Sequence, residues 1–412
     1  MKKEKRIVFL STFLHTGLDW IHSLLDGHPE ILLMPALSFY RCYIKLNLVN
    51  EKNNEVVYNK LYEYISKNIG PNCENEQKKF INSFKEMEDF FFKLKQELSI
   101  IEINRKNIFF AIHSSYAYAK KINIDDIKVI ISHETLPFYK TFIKKDFPNS
   151  KMLLILRDPR ASLAGYWYRR AKEFGGYIPD YTFNHSLDCW LYGIGIVKDS
   201  FYTINKNLYI IKNEDMHLNL QNEMKKLALW LNIQFYQSML KESYPSGKKV
   251  LVDSAYLWND LQNDFKNYEE RIPDNFFSKE NIKLRWMENL SQSQILMIEE
   301  LFDYVFKIYN YKKIYKSNFI KIIRAYYCFL IPQKNLLIKW SKDYPGIDAF
   351  NRIEKRLEKN QRYILKKVWL LNPYIFRYAF LFSYSMISRL KIIYSSKDSI
   401  PTYDKIKYYS IF

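Results

Sequence analysis

The apolar residues of this chain fall into short continuous runs that are separated by longer polar segments. A first run, Arg6 to Ser11, predicts a buried strand, and the apolar spacing from Asp19 to Leu25 begins a helix. Four further runs have the length of buried strands, and three of them precede polar or charged turns and helices: NIFFAI, VIIS, MLLIL and LYII. This alternation predicts an α/β fold of three layers, α/β/α, with a central, mostly parallel sheet.

Other segments follow a helical period. Residues 50–105 are rich in Lys, Asn and Glu, and their apolar residues are spaced as in helices. They form the centre of a largely helical insertion that we assign to residues 36–130. We therefore expect one α/β domain over residues 1–311, followed by a basic, aromatic-rich helical extension over residues 312–412.

Charge is concentrated in the extension. The formal net charge is +19, and residues 311–412 hold 21 Lys and Arg against 6 Asp and Glu, which leaves +15 there and +4 in the first 310 residues. Amphipathic segments on both sides of Pro373 can lie on an anionic membrane surface. A helical appendix with a solvated basic face would show the same pattern. Nucleic acid is not the expected partner, because no recognition motif accompanies the charge.

The sequence also bears on compartment and metal content. Basic residues precede an apolar stretch at the N-terminus, but Ile7 to Leu14 is too short for a signal peptide and no small-residue cleavage site follows. Later apolar stretches are too short to cross a bilayer of about 30 Å. The four cysteines are scattered, which predicts neither a zinc site nor a disulfide framework. We expect a cytoplasmic protein without a metal, peripheral to the inner membrane surface if the extension binds lipid.

The first candidate site is the turn between the first strand and the first helix. A helix that begins directly after a strand leaves backbone N–H groups unpaired, and phosphate is their common ligand. In this turn Gly17 allows close approach of the backbone, Thr16 offers a hydroxyl and His15 offers a cation. A nucleoside-triphosphate P-loop needs GxxxxGK[ST], and no Lys follows Gly17, which argues against an NTPase or a phosphotransferase.

This segment, HTGLDWIHSLLDGHPEI, resembles the start of the sulfotransferase family, which carries a [KR]-[ST]-G-T-[ST] turn and often LLxxHP after it. The resemblance implies that the turn holds the 5′-phosphate of 3′-phosphoadenylyl sulfate (PAPS) and that its cation, here His15, stabilises the leaving group. Leu18 and Asp19 stand where the family has hydroxyl residues. A turn that Asp19 caps without a ligand would look similar. The implied nucleotide contacts of this segment are His15, Thr16, Gly17, Leu18, Asp19 and Trp20.

A second segment, FPNSKMLLILRDPRASLAGYWYRR, resembles the part of the family that binds the 3′-phosphate of PAPS. There the ligands are the Arg that ends a buried strand and a Ser eight residues later. Arg157 matches the first, whereas Gly165 stands in place of the second and Ser162 is the candidate replacement. Arg suits a doubly charged phosphate because its planar fork donates two parallel hydrogen bonds. A salt bridge from Arg157 to Asp158 is the structural alternative.

Two more segments extend the resemblance in the expected order. LYIIKNEDMHLNLQNEMKKLALWLNI resembles the family's strand, Glu-Asp-Leu turn and helix, in which Glu214 and Asp215 would brace the helix. KLRWMENLSQSQ resembles the GRWRExLSxEQ segment of bacterial members. Lys283 and Arg285 in that segment either reach the nucleotide or form a solvated basic turn. The four segments span about residues 5 to 311, and the extension lies outside them.

Sulfonate transfer to a hydroxyl needs a base for the acceptor proton and no metal. VIISHETLPFYKTF resembles the KTHLP segment of cytosolic sulfotransferases, in which His is the base. Alignment of the Leu-Pro pair puts Thr135 at that position and His133 two residues earlier, on the same face of an extended chain. We therefore expect His133 or Glu134 to be the base. His113, after the NIFFAI run, is a second candidate, and Glu30 is the acidic residue nearest to the position that other members use.

The resemblance predicts a sulfotransferase that moves a sulfonate group from PAPS to a hydroxyl of a carbohydrate, an envelope glycan or a lipid. Residues 36–130 would form the acceptor region. The alternative is a catalytically degenerate relative that keeps the fold and acts as a binding or scaffold protein at a membrane surface. Leu18, Asp19 and Gly165 support that alternative, because each departs from the family at an implied contact.

Overall fold

The computed structural model describes residues 5–34, 37–68, 71, 83–134, 139–173, 180–198, 207–240, 285–316, 318–321 and 323. The chain divides into two compact units. The first contains residues 1–156 and 196–253, and the second contains residues 157–195 and 254–412. Most of the basic extension lies outside the described residues, so its predicted helices stay a prediction.

The described residues contain five strands, and all of them belong to the first unit. They are β1 (Arg6–Thr12), β2 (Ile31–Met34), β3 (Val129–His133), β4 (Lys151–Leu156) and β5 (Leu208–Lys212). Their order in the sheet is β2-β3-β1-β4-β5, and every neighbouring pair is parallel. The first strand of the chain is therefore the central strand of the sheet.

Helices connect these strands, and four of them lie between β2 and β3, where the sequence predicted a helical insertion. The helices are α1 (Leu18–Leu25), α2 (Phe39–Lys45), α3 (Asn54–Asn68), α4 (Phe84–Ile100), α5 (Arg105–Ala119), α6 (Lys140–Asp146), α7 (Pro159–Glu173), α8 (Asp180–Val197), α9 (Asn213–Leu231), α10 (Gln292–Leu301) and α11 (Asp303–Ile308). Among the described helices, none has the length and apolar character needed to span a membrane.

The side chains of β1 alternate between two helical layers, as the pleat of a strand requires. Val8 and Leu10 belong to the core cluster that α1 and α9 form on one face of the sheet. Phe9 lies on the other face, where its ring centroid is 6.0 Å from that of Tyr40 in α2 and 6.1 Å from that of Phe109 in α5. The predicted three-layer α/β/α fold with a parallel sheet is confirmed.

One predicted strand is wrong, and one strand was not predicted. The run NIFFAI lies inside α5, whose N-cap residue Asn104 accepts a hydrogen bond from the backbone N–H of Asn107 at 2.9 Å. Five apolar residues in a row fit a helix as well as a strand, because so short a run shows no period; Ile108 and Ile112, four residues apart, are both fully buried in this helix. The strand β2 has only four residues and gave no separate signal in the sequence.

In the second unit a buried cation ties several segments together. Arg160 at the start of α7 donates to both oxygens of Asp158, at 3.0 and 2.7 Å, and to Oε1 of Glu299 in α10 at 2.6 Å. Its guanidinium carbon also lies 4.3 Å from the ring centroid of Trp286. Glu299 accepts a further hydrogen bond from the backbone N–H of Ile314 at 2.8 Å. Buried charges are tolerated here because each one is paired and hydrogen-bonded.

Candidate active site

The carboxyl ends of the parallel strands meet at one edge of the sheet in the first unit. β1 leads into α1, which packs on the same face as α9. The helix after β3, α6, belongs to the opposite layer, since its last residue Asp146 accepts a hydrogen bond from Tyr40 of α2 at 3.1 Å. Adjacent strands whose connections leave toward opposite faces form the place where open α/β sheets bind ligands. The turn after β1 and the residues that end β3 are therefore the candidate site.

The turn after β1 is fixed by contacts with the sheet and with α9. Two of its residues have left-handed backbone, His15 with φ 47° and Gly17 with φ 97°. A Cβ atom at Gly17 would collide with the side-chain amide of Asn213, the first residue of α9. Thr16 is fully buried, and its hydroxyl donates to a main-chain carbonyl of β4 at 2.9 Å and contacts the hydroxyl of Thr12. The hydroxyl of Thr16 thus braces the turn.

α1 begins directly after this turn with an open N-terminus. Its N-cap residue, Gly17, has no side chain that could accept from the first backbone N–H groups. Leu18 is buried in the core, so it can offer only its backbone to a ligand. Asp19 is exposed in the first turn of the helix, and Trp20 stacks on His217 of α9 with ring centroids 4.3 Å apart. Unpaired N–H groups and the positive end of the helix dipole suit an anion here.

His133 ends β3 next to this helix. Its Nδ1 atom lies 3.0 Å from Nδ1 of His22 in α1, and the ring centroids are 5.1 Å apart. Burial lowers the pKa of His133 below its ordinary value, and the carboxylate of Asp19 acts in the opposite direction. Burial and the neighbouring His133 hold the pKa of His22 well below its ordinary value. Both rings are thus favoured in the neutral form, and a neutral imidazole can accept a proton.

Glu134 follows His133, but its carboxylate is turned to the start of α2. It accepts hydrogen bonds from the hydroxyl of Ser38 at 2.6 Å and from the backbone N–H of Tyr40 at 3.2 Å. The hydroxyl of Ser132 lies 3.5 Å from the same group. Burial raises the pKa of Glu134 to about 7, and these hydrogen bonds oppose the shift. Glu134, which is far from α2 along the chain, therefore caps the N-terminus of this helix. The sequence did not suggest this role.

The two further base candidates lie away from this edge. His113 is inside α5, where its Nδ1 donates to the carbonyl of Phe109 at 2.8 Å and burial lowers its pKa to about 4. Glu30 precedes β2 and is thus at the amino edge of the sheet. It forms an ion pair with Lys128 and accepts from the backbone N–H of Gln234 at 2.8 Å. Neither residue is brought together with the turn after β1.

The second unit contains the residues that the sequence assigned to the 3′-phosphate. Arg157 directly follows β4, while Asp158 is bound by the guanidinium of Arg160. Ser162 is fully buried in α7, and its hydroxyl accepts a hydrogen bond from Nε1 of Trp190 at 3.1 Å. Gly165 is buried in the same helix. The hydroxyl of Ser162 thus serves the packing of this unit.

The remaining predicted contacts fall on the segment before α10. Lys283 lies outside the described residues. Arg285 begins a short 3₁₀ helix, Arg285–Asn289, and its side chain lies outside the described part of the chain. The assignment of both residues to the nucleotide stays a prediction. Among the described residues, no group of three or more His, Cys, Asp or Glu side chains is arranged to hold a metal ion.

Sequence reasoning missed His22 and Ser38, which contact the two proposed bases. His22 carried a signal, because it lies on the same helical face as Leu18 and Leu25 and a polar residue on such a face is expected to have a partner. Ser38 carried none, since its partner is 96 residues away in the chain.

A parallel sheet with a glycine turn, an open helix N-terminus and a buried histidine at its carboxyl edge defines an α/β protein suited to phosphate-bearing ligands. A family model described as "Sulfotransferase domain" matches residues 5–314. The chain therefore belongs to the sulfotransferase family, and this membership supports a transferase of sulfonate groups. A comparison with curated proteins finds no match.

Solved structures that are similar to this chain include three sulfotransferases or sulfotransferase domains. The sulfotransferase domain from the curacin biosynthetic pathway is 13% identical, with a TM-score of 0.47, over 75% of this chain and 99% of that chain. The sulfotransferase domain from the Synechococcus PCC 7002 olefin synthase is 10% identical, with a TM-score of 0.35, and the match covers 81% of this chain and 98% of that domain. Sulfotransferase STF9 from Mycobacterium avium is 10% identical, with a TM-score of 0.34, and the match covers 76% of this chain and 78% of that protein. The family assignment rests on the family model.

Proposed function

We propose that this chain transfers a sulfonate group from PAPS to a hydroxyl of a carbohydrate, an envelope glycan or a lipid. The observation that carries the proposal is the pairing of the open N-terminus of α1 with the buried ring of His133, which contacts the same helix. The helix offers backbone N–H donors for a phosphate group. The ring offers a neutral nitrogen for the proton of an acceptor hydroxyl.

PAPS is proposed as the donor because the chain keeps Thr16 and Gly17 of the family's turn and Arg157 after a buried strand. The turn and the first N–H groups of α1 would hold the 5′-phosphate, with His15 as the cation. Arg157 would bind the 3′-phosphate through its guanidinium fork. The turn departs from the family in its side chains, but the backbone N–H groups that a helix N-terminus offers to a phosphate do not depend on those side chains.

In the proposed reaction the acceptor oxygen forms a bond to sulfur while the bond from sulfur to the phosphate oxygen breaks. Adenosine 3′,5′-bisphosphate leaves, and the hydroxyl proton of the acceptor passes to His133. Asp19 stabilises the imidazolium that forms, because its negative charge raises the pKa of His133. Glu134 is not proposed as the base, since Ser38 and Tyr40 donate to its two oxygens.

The acceptor class and the location are proposed from charge. The extension carries +15, and such a surface attracts anionic glycans and anionic lipid headgroups. This supports an acceptor at the inner membrane surface with the protein bound peripherally. The helices α2 to α5, within residues 36–130, are the proposed acceptor region because they lie between β2 and β3, whose carboxyl ends share the candidate edge.

Adenosine 3′,5′-bisphosphate tests the donor directly. A ligand that binds only the native state stabilises it by about 2.7 kcal/mol at a concentration of 100 times its Kd, so the melting temperature should rise. Adenosine 5′-monophosphate, which lacks the 3′-phosphate, is the control and should act far more weakly. Arg157→Ala should weaken binding by about 1.5–3 kcal/mol. No shift at millimolar ligand would contradict the donor and favour the degenerate scaffold.

A further inference from the structure

His22 is a buried histidine in the first unit to which the proposed chemistry gives no role. His22 is 6% exposed and His133 is 5% exposed. Their Nδ1 atoms are 3.0 Å apart, which is a hydrogen-bond distance. Within the described part of the chain, Nε2 of His22 is buried without a hydrogen-bond partner. A buried polar group without a hydrogen-bond partner costs stability, so the presence of a histidine at this position needs an explanation other than stability.

The number of ring protons restricts the tautomers that His22 and His133 can adopt together. Two neutral imidazoles carry two ring protons, and the hydrogen bond between the Nδ1 atoms uses one of them. The other proton is then on Nε2 of the ring that accepts. If His133 donates, its own Nε2 is bare and can take a proton from a hydroxyl. If His22 donates, Nε2 of His133 already carries a proton and cannot act as a base.

We propose that His22 is a positioning residue that accepts the Nδ1–H of His133 and thereby keeps Nε2 of His133 bare. The proposal rests on the proposed function, because it assigns the tautomer of the base in that reaction. When Nε2 of His133 receives the acceptor proton, the cationic pair holds one proton between the Nδ1 atoms and one on each Nε2. His22 thus orients His133 and stabilises its imidazolium, as a third group does in other nucleophile–base systems.

The other charged groups around the pair fit this arrangement. Asp19, three residues before His22 on α1, favours the cationic form of His133. The carboxylate of Glu134 is directed to Ser38 and Tyr40 and is engaged there. A neutral partner leaves His133 neutral at rest, because burial disfavours the charged ring. An ionised partner in the place of His22 would hold His133 protonated, which is the wrong form for a base.

Two substitutions at His22 separate positioning from packing. His22→Asn keeps a carboxamide oxygen near the place of Nδ1 and can still accept, whereas His22→Leu fills similar space and cannot. We expect His22→Leu to lower kcat by about 10- to 100-fold with an unchanged KM for PAPS. The acid limb of the kcat profile should move to lower pH, because the imidazolium of His133 loses its acceptor. His22→Asn should restore kcat to within a few-fold of the wild type.

His28 supplies the matched control. It is equally buried, at 3% exposure, but its ring bonds to the backbone of Gln234 and Glu30 at the opposite edge of the sheet. His28→Leu should lower the melting temperature and leave kcat and its pH profile unchanged. An unchanged kcat and pH profile in folded His22→Leu, or equal losses in His22→Leu and His22→Asn, would overturn the proposal.

The tautomer can be read without any turnover. In the full-length chain labelled with ¹⁵N-histidine, the nitrogen shifts at pH 7.5 should show a protonated Nδ1 and a bare Nε2 on His133, with the signals assigned from the His133→Gln spectrum. A protonated Nε2 on neutral His133 would overturn the proposal even if His22→Leu fails to fold. If the wild type transfers no sulfonate and binds no adenosine 3′,5′-bisphosphate, the proposed function fails, and the spectrum still decides the tautomer.

Discussion

Glu134 is a carboxyl group that the protein buries at the start of a helix. Two effects shift the pKa of Glu134 in opposite directions. Burial favours the protonated acid, whereas hydrogen bonds from Ser38 and Tyr40 favour the carboxylate. Burial is the larger effect and raises its pKa from 4.5 to about 7. The folded state therefore holds this proton more tightly than the unfolded state. The contribution to stability is fully present below about pH 4.5 and is lost as the pH rises through 7.

Replacement of Glu134 by Gln removes this titration while it preserves the shape of the side chain. Relative to the wild type, Glu134→Gln should gain about 1–3 kcal/mol in the free energy of unfolding between pH 5 and pH 8. Urea denaturation at both pH values measures the difference. Glu88→Gln, at an exposed position of α4, is the control and should show no such dependence. A loss of sulfonate transfer in folded Glu134→Gln would make Glu134 the base instead.

At this scale the sequence predicts single residues better than it predicts their partners. The sequence singled out Gly17 for close approach of a phosphate, which stays a prediction; the structure gives Gly17 a left-handed φ of 97° and places Asn213 where a Cβ atom would lie. The hydroxyl of Thr16 is buried and braces the turn, which the sequence could not show because the acceptor is a main-chain carbonyl of β4. Roles that depend on distant partners, such as the cap that Glu134 provides, become visible only in three dimensions.

At the scale of elements, the stability of the N-terminus of α7 depends strongly on one residue, Arg160. Arg160 is the cation between the carboxylates of Asp158 and Glu299, and it also lies against Trp286. Arg160→Met should lower the free energy of unfolding by about 3–5 kcal/mol, because two buried carboxylates then lose the guanidinium that pairs with them. Chemical denaturation monitored by tryptophan fluorescence measures this change.

A surface lysine serves as the control for Arg160. Lys85 is 75% exposed and pairs with Asp89 on the surface of α4, so Lys85→Met should change stability by less than about 0.5 kcal/mol. Arg160→Lys should fall between the two, since it keeps the charge but cannot donate to both carboxylates with a planar fork. If Arg160→Met were as stable as the wild type, the cluster would not hold the second unit together.

Elements were predictable where the hydrophobic pattern and the flanking residues agree. VIIS, MLLIL and LYII are strands because each is short, apolar and bounded by polar residues. The strand prediction for NIFFAI failed because this apolar run is part of a longer helix whose N-cap residue is Asn104. The order β2-β3-β1-β4-β5 could not be read from the sequence, since each neighbour of β1 is distant along the chain.

On the scale of the whole molecule, the charge of +15 in the extension is the feature with the widest effect. Each Lys or Arg near an anionic bilayer contributes about 1 kcal/mol of attraction, which salt screens. We therefore expect the full-length chain to sediment with phosphatidylcholine vesicles that contain phosphatidylserine, strongly at 50 mM salt and weakly at 500 mM. Vesicles of phosphatidylcholine alone are the control. Equal binding to both compositions, or none, would contradict a membrane role for the extension.

The contact between Gly17 and Asn213 also has a consequence for the time course of synthesis. The turn that is proposed to bind the donor leaves the ribosome well before the residue that it rests on, which follows about 200 residues later. At about 5–20 residues per second, that interval is roughly 10–40 s. In the earlier part of this period β1 also lacks β3 and β4, its two partners in the sheet, which are synthesised before α9. A nascent chain that ends before α9 lacks the residue against which the turn packs, so the site is completed only after α9 has been synthesised.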